Sequence, residues 1–168
     1  MTKIDAMCDE AVRIAQDDSH GYNQAARWSP DFDCSSLVYH CAEVAGYDVP
    51  KSGTRYTGTM IDHFTKAGFR CDMFDGNLND LERGDILLHT RDHTALYIGN
   101  GKIVEASIDE RGQISGGQSG DQTGNEIHIR NVYSFPWTHV LTAPNEDTPT
   151  PSENEIVRLA KRIIELAH

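Results

Sequence analysis

The chain has 168 residues, 38% of them hydrophobic and 24% charged, which fits one globular domain of ordinary composition with a short appendage. A chain of this length buries roughly two-thirds of the surface its unfolded form exposes, so neither a disulfide framework nor a structural metal is needed for folding. Twenty-six acidic against fifteen basic residues leave a formal charge of −11, which repels a phosphate backbone and argues against nucleic acid as a partner.

Residues 1–18 are charged throughout and lack the apolar centre of a secretory signal. No stretch approaches the length of apolar chain that a membrane span requires. The expectation is synthesis in the cytoplasm without a signal peptide, so that any action outside the membrane follows release. Within residues 4–16, Ile4, Met7, Cys8, Ala11, Val12 and Ala15 recur at helical spacing and predict an amphipathic first helix. A polar loop containing Tyr22, Trp28 and Pro30 leads to Asp33-Cys34-Ser35-Ser36. Leu37, Val38, Cys41, Val44 and Ala45 then form the stripe of a second helix, ended by Gly46 as a C-cap with Pro50 beyond. A third helix is expected over residues 56–67, closed by Gly68 in the same way.

From Gly84 the hydrophobic period changes. Residues 85–89, 93–98, 102–107, 126–130 and 138–143 read as strands, with Gly99-Asn100-Gly101 as a tight hairpin. Helices first and a meander afterwards predict an α+β domain with an antiparallel sheet of about five strands. Residues 109–125, rich in Gly, Gln, Ser and Asp, form a connection longer than compact domains usually carry, either a cleft-lining loop or a partly disordered segment. After Ala143 the composition shifts, which bounds the domain at residues 1–143 and leaves a Pro- and Thr-rich linker at 144–152. Ser152 and Glu155 form a capping box ahead of an amphipathic helix at 153–168. Its apolar face needs a partner, and the linker's reach favours a second copy of the chain or a downstream module over docking on its own domain.

Cys8, Cys34, Cys41 and Cys71 contain no Cys-x-x-Cys pair, so a zinc knuckle or redox dithiol is not expected. Cys8, Cys41 and Cys71 read as small buried hydrophobes. Cys34 stands in the first turn of the second helix, where unpaired N–H groups and the helix dipole lower a thiol's pKa. It also continues the stripe of Leu37, Val38 and Cys41, with Asp33 and Ser35 as capping residues, and the helix alone does not choose between a nucleophile and a core cysteine.

A base would decide. His93 opens the strand over residues 93–98, and twelve residues on, Glu105 interrupts Ile103, Val104 and Ala106. A carboxylate inside an apolar strand is costly unless a partner holds it. A three-residue loop sets Ile98 opposite Lys102 and Ala95 opposite Glu105, so that His93 and Glu105 share a face as diagonal neighbours while Leu96, Ile98, Val104 and Ala106 take the other. A two-residue loop would put His93 and Glu105 on opposite faces. The competing reading of Glu105 is a surface charge on a half-exposed strand, and His89 is the alternative base.

Three blocks, Phe32-Asp33-Cys34-Ser35-Ser36-Leu37-Val38, Leu81-x-x-Gly84-Asp85-Ile86-Leu87-Leu88 and residues 93–107, resemble in order and spacing the NlpC-type cysteine peptidases of bacterial cell walls. The similarity runs from about Tyr22 to Leu141. It is greatest to the catalytic domain of phage and prophage endolysins of Gram-positive hosts, extending to the loop from Ser115-Gly116-Gly117 to Gly124. The resemblance implies a papain-like fold and hydrolysis of peptidoglycan amide bonds. It assigns Cys34 as nucleophile, His93 as base and Tyr22 as a tyrosine lining the site, and places Glu105 in the third position, where many members carry His. Tyr22, Asp33 and Ser35 are the candidates for the substrate and oxyanion side, through the Tyr22 hydroxyl and the backbone N–H groups of the helix start. No metal or cofactor is required. Within this class the expected bond joins D-glutamate to the diamino acid. An amidase cutting between the lactyl group and L-alanine is the rival; acyl transfer through the same thioester, and a catalytically silent wall-binding module, are the further alternatives. A −11 chain is repelled by an anionic wall, which points to a targeting module downstream.

Overall fold

Helix α1 (Lys3–Ala15) turns Met7, Cys8, Ala11 and Ile14 inward, as its spacing predicts. Its first turn is closed twice: Thr2 accepts the Asp5 N–H, and the Glu146 carboxylate accepts those of Lys3 at 2.7 Å and Ile4 at 3.3 Å. Helix α2 (Cys34–Ala45) begins with a reciprocal cap between Asp33 and Ser36 and ends at Gly46, whose φ of 96° is the left-handed value that favours glycine. The expected third helix is shorter than predicted, a single 3-10 turn (Thr57–Thr59) running into α3 (Met60–Lys66). This computed structural model describes residues 1–146, together with Arg158, Lys161 and Arg162, which are helical and exposed. The linker from residue 147 and the rest of the terminal helix lie outside the described residues.

Among the described residues six strands form one antiparallel sheet: β1 (Arg70–Met73), β2 (Ile86–His89), β3 (His93–Gly99), β4 (Lys102–Ala106), β5 (Ile127–Asn131) and β6 (His139–Thr142), in the order β1-β6-β2-β3-β4-β5. The five segments read from the sequence are β2 to β6. The sixth, β1, escaped because three of its four residues, Arg-Cys-Asp-Met, are exposed and Cys71 alone of them is half-buried, so the strand shows no alternation and lies at the edge beside β6.

The sheet separates two cores. Ile86, Leu88, Leu96, Val104, Ala106, Ile127 and Leu141 face the helices and meet Met7, Leu37, Val38, Cys41 and Phe64. Each fully buried Leu, Ile, Val, Met or Phe among them contributes roughly 1.5–3 kcal/mol. On the opposite face Leu87, Ala95, Tyr97 and Ile103 are covered by Trp137, with Phe74, Tyr133 and Phe135 around it. Cys8 and Cys41 are fully buried, as expected of small apolar residues, whereas Cys71 on the edge strand β1 is only half-buried. Among the described residues no helix is long and apolar enough to cross a membrane.

The hairpin joining β3 and β4 reaches the expected facing by a different turn. Gly99 pairs with Lys102 across the two residues Asn100 and Gly101, whose φ values of 53° and 74° make the left-handed pair of a tight hairpin. A bulge at Ile98 then inserts one extra residue, so Tyr97 pairs with Ile103 and Leu96 with Val104. A two-residue loop followed by a bulge thus has the same effect on facing as the three-residue loop. Leu96, Val104, Ala106 and the partly buried Ile98 line the helix side, and His93 and Glu105 share the other.

Candidate active site

The site lies where the start of α2 meets the start of β3. Cys34 is the first residue of α2 and is half-buried, with its sulfur against the backbone N–H groups of Thr94 and Ser35. Thr94 follows His93, so the nucleophile sits beside the base's own strand. Burial pushes the Cys34 thiol up, to about 12, reinforced by the neighbouring Asp33 carboxylate and opposed by those two N–H groups and by Arg27. The depressed pKa expected from the helix start is therefore not found in this environment. Burial outweighs the two N–H groups, and thiolate formation depends on a base that takes the proton directly.

His93 is the candidate for that base. Its Nε2 lies 2.7 Å from Glu105 Oε2, and its ring stacks 5.8 Å from Trp137 and meets Phe135 edge-on at 5.7 Å, so three neighbours set its plane. With Nε2 engaged, Nδ1 is the nitrogen left to exchange a proton with a thiol. Glu105 is 1% exposed, which removes the reading of it as a surface charge. Its Oε2 also accepts the Tyr133 hydroxyl at 2.9 Å, while Oε1 accepts from His128 at 3.1 Å and Arg130 at 3.4 Å. Burial alone would raise its pKa, but the bonds from His128, His93 and Tyr133 hold the carboxyl far below the usual range, and it is ionised at any working pH. His89, the alternative base, faces His93 across β2 and β3 but has its Nδ1 taken by the Arg91 N–H at 3.3 Å and no contact with Glu105.

The flanking residues have their side chains committed. Asp33 accepts the Ser36 N–H at 2.8 Å and the Arg27 guanidinium at 3.0 Å, and Ser35 donates to the same carboxylate at 3.3 Å, so both act here as the cap that aims the first turn. What Ser35 offers an oxyanion is its backbone N–H, which the first turn of a helix leaves without an intrahelical partner, whereas the Asp33 N–H is taken by the Ser36 hydroxyl at 2.9 Å. Tyr22 is buried close to Cys34, and its hydroxyl donates to the Ile114 carbonyl at 2.8 Å. That proton is used to hold the loop over residues 109–125 against the site, which leaves the oxyanion to the backbone.

That loop is ordered, by carboxylates that accept backbone N–H groups. Asp31 accepts those of Gly21 and Gly120, both at 2.9 Å; Glu126 accepts Tyr22 at 3.1 Å and Gln122 at 2.7 Å; Asp121 accepts Thr123 at 3.0 Å and Gly124 at 2.7 Å. The two chains approach so closely that a Cβ on Gly21 would lie 2.0 Å from the Gly120 carbonyl oxygen. Beside the cap, Trp28 is 38% exposed between the guanidinium groups of Arg55, 3.8 Å from its ring centre, and Arg27, 4.9 Å away. Arg27 also donates to the Arg55 carbonyl. Among the described residues no group of three or more His, Cys, Asp or Glu side chains is placed to hold a metal ion.

Sequence reasoning missed His128, Arg130 and Tyr133. The alternation Ile127-His128-Ile129-Arg130 puts the two basic residues on one face of a strand, but which strand that face meets depends on pairing across a twenty-residue connection.

A cysteine at a helix start beside a strand-borne histidine and carboxylate, on an antiparallel sheet flanked by helices, is the NlpC/P60 type of papain-like α+β fold. Residues 29–102 and 103–165 match the endolysin-like domain family, and the chain belongs to it. Among solved structures it is similar to the peptidoglycan hydrolase RipB of Mycobacterium tuberculosis, with 19% identity over 83% of this chain and a TM-score of 0.53. The chain spans 65% of that RipB chain. It is similar also to the P60 domain of antigen MAP1204 from M. avium subspecies paratuberculosis, with 18% identity, a TM-score of 0.53, and coverage of 83% of this chain and 93% of the other. Among curated proteins none matches.

Proposed function

We propose that this chain is a cysteine-dependent peptidoglycan hydrolase that cuts an amide bond of the stem peptide, between D-glutamate and the diamino acid, and that it acts on the wall after release from the cytoplasm as phage-type lysins do. The observation that carries the reading is the buried Glu105 carboxylate 2.7 Å from His93 Nε2, on the strand whose next N–H touches the Cys34 sulfur. Membership of the endolysin-like family and a fold shared with a hydrolase of this polymer support the substrate class.

The chemistry follows from the groups in place. His93 Nδ1 takes the Cys34 proton while Glu105 balances the imidazolium, so that a thiol held high by burial becomes a thiolate only as it attacks. Sulfur bonds to the carbonyl carbon, and the oxygen's charge meets the N–H groups of the first turn of α2. The imidazolium then protonates the departing amine as the C–N bond breaks. Water, deprotonated by His93, attacks the thioester and releases the acid and the thiol. Oxyanion donors of this kind contribute about 3–4 kcal/mol to such a step.

Mass spectrometry of peptidoglycan digested by the purified chain tests the assignment. New amines on the diamino acid with free D-glutamyl carboxyls are expected. Release of intact stem peptides from the sugar would replace this bond by the amidase reaction, and no new ends at all would overturn the hydrolase reading.

A further inference from the structure

Glu105 is held from a second side by a residue for which the thiol mechanism gives no role. His128 pairs with Glu105 in the register of β4 and β5, with Nε2 3.1 Å from Glu105 Oε1 and Nδ1 2.6 Å from the Asn125 carbonyl oxygen. Both partners are acceptors. A neutral imidazole carries one N–H and would turn a lone pair toward one of them, whereas an imidazolium donates to both. The groups around it are Glu105 on β4, Arg130 on its own strand at 3.4 Å from the same Oε1, and, across the carboxylate, Tyr133 and His93 on Oε2. Helix α1 packs on the other face of β5, behind Ile127.

We propose that His128 is a positioning residue held as an imidazolium, which shares the charge of Glu105 with His93 and so sets how strongly His93 binds its proton. The inference rests on His93 being the base of the proposed reaction. A buried carboxylate serving one histidine alone would hold that histidine protonated and make it a poor acceptor for the Cys34 proton. A cation on the opposite carboxylate oxygen weakens the pull without disturbing the bond that orients the ring. The environment of His128 agrees: its bond to Glu105 raises its pKa above the ordinary histidine value, burial opposes this, and the Asn125 carbonyl adds to the rise.

The test needs no substrate. In ¹⁵N NMR of the full chain, both ring nitrogens of His128 should carry protons at pH 7. In His128→Gln, which offers an N–H but no charge, the His93 titration midpoint should rise by on the order of one pH unit. His128→Lys, which keeps a cation, should return the midpoint toward the native value. A neutral His128 at pH 7, or a His93 midpoint unmoved in His128→Gln, overturns the proposal; a merely structural histidine would lower the melting temperature and leave that midpoint where it was. If the Gln variant does not fold, the protonation state of His128 in the native chain decides alone. In turnover, the acid limb of kcat/KM should move up by the same amount with KM little changed. A native chain without activity on peptidoglycan would sink the hydrolase reading while leaving the NMR result to stand or fall separately.

Discussion

The buried carboxylate of Glu105 and the buried pair Asp31 and Glu126 are put to opposite uses. Glu105 accepts only from side chains, His93, His128, Tyr133 and Arg130, so its charge is tied to groups that move protons or carry charge. Asp31 and Glu126 accept backbone N–H groups in the hydrogen bonds that tie the loops over the site. The electrostatics diverge accordingly. Glu105 is held far below the usual carboxylate range by its donors, whereas burial and the adjacent Asp121 push Glu126 up. Burial is common to both; the partners decide whether a carboxylate orients a base or pins a loop.

The sharpest break between the two regions comes from the reacting pair. Cys34→Ser and His93→Ala should each lower wall lysis about 10³-fold or more; Cys34→Ser should leave thermal unfolding nearly unchanged, whereas His93→Ala also strips a donor from the buried Glu105 and should lower the melting temperature as well. Full lysis by Cys34→Ser with native unfolding would remove the thiol mechanism.

Glu105 should matter to both activity and stability. Glu105→Gln, which still accepts one hydrogen bond, should keep more activity than Glu105→Ala, and the Ala variant should lose about 3–5 kcal/mol because His93, His128 and Tyr133 are left without their acceptor. The pH dependence has a definite sign. A carboxyl whose folded pKa lies below its unfolded value contributes stability above the ordinary value of 4.5 and loses it as pH falls toward the folded one. The gap in melting temperature between the native chain and Glu105→Gln should therefore be fully present near pH 5 and close below 4.5. A gap that widens on acidification would contradict the lowered pKa, and equal activity of all three chains would remove Glu105 from the site.

Asp31→Ala tests the other region. It strips the acceptor from two buried N–H groups, at about 1–3 kcal/mol each, and should open residues 109–125 to limited proteolysis. Activity should fall through loss of loop order, with the pH limbs of kcat/KM in place; a shifted acid limb would mean that the two regions are electrostatically one. The smallest effect concerns the chain end. Truncation after Ala143 removes Glu146 from the first turn of α1 and should cost about 0.5–2 kcal/mol, whereas truncation after Glu146 should not. Both should hydrolyse soluble stem fragments at nearly the native rate, and unfolding of the longer one would place the terminal helix in the core.

Much of this was legible in local pattern. Spacing and caps located α1 and α2 within a residue, since an apolar stripe with Asp33 before it and Gly46 after it leaves a helix few other registers. Period-two runs located five of six strands, and the cost of burying Glu105 pointed to His93 before any pairing was known. The hairpin was read correctly for its facing and wrongly for its turn, because a bulge at Ile98 restores the alternation that a two-residue turn would have reversed.

Residue type and short-range spacing determined the helices, the strand faces and the Cys34, His93 and Glu105 candidates, because these depend on contacts a few residues apart. Tertiary structure alone decided what surrounds them. The thiol's high pKa comes from burial between α2 and β3, the Tyr22 hydroxyl donates to the Ile114 carbonyl across 92 residues, and His128 reaches Glu105 only once β5 pairs with β4. Such environments arise from desolvation and from donors brought together over long loops. Neither leaves a periodic trace in the chain, so no reading of neighbouring residues recovers them.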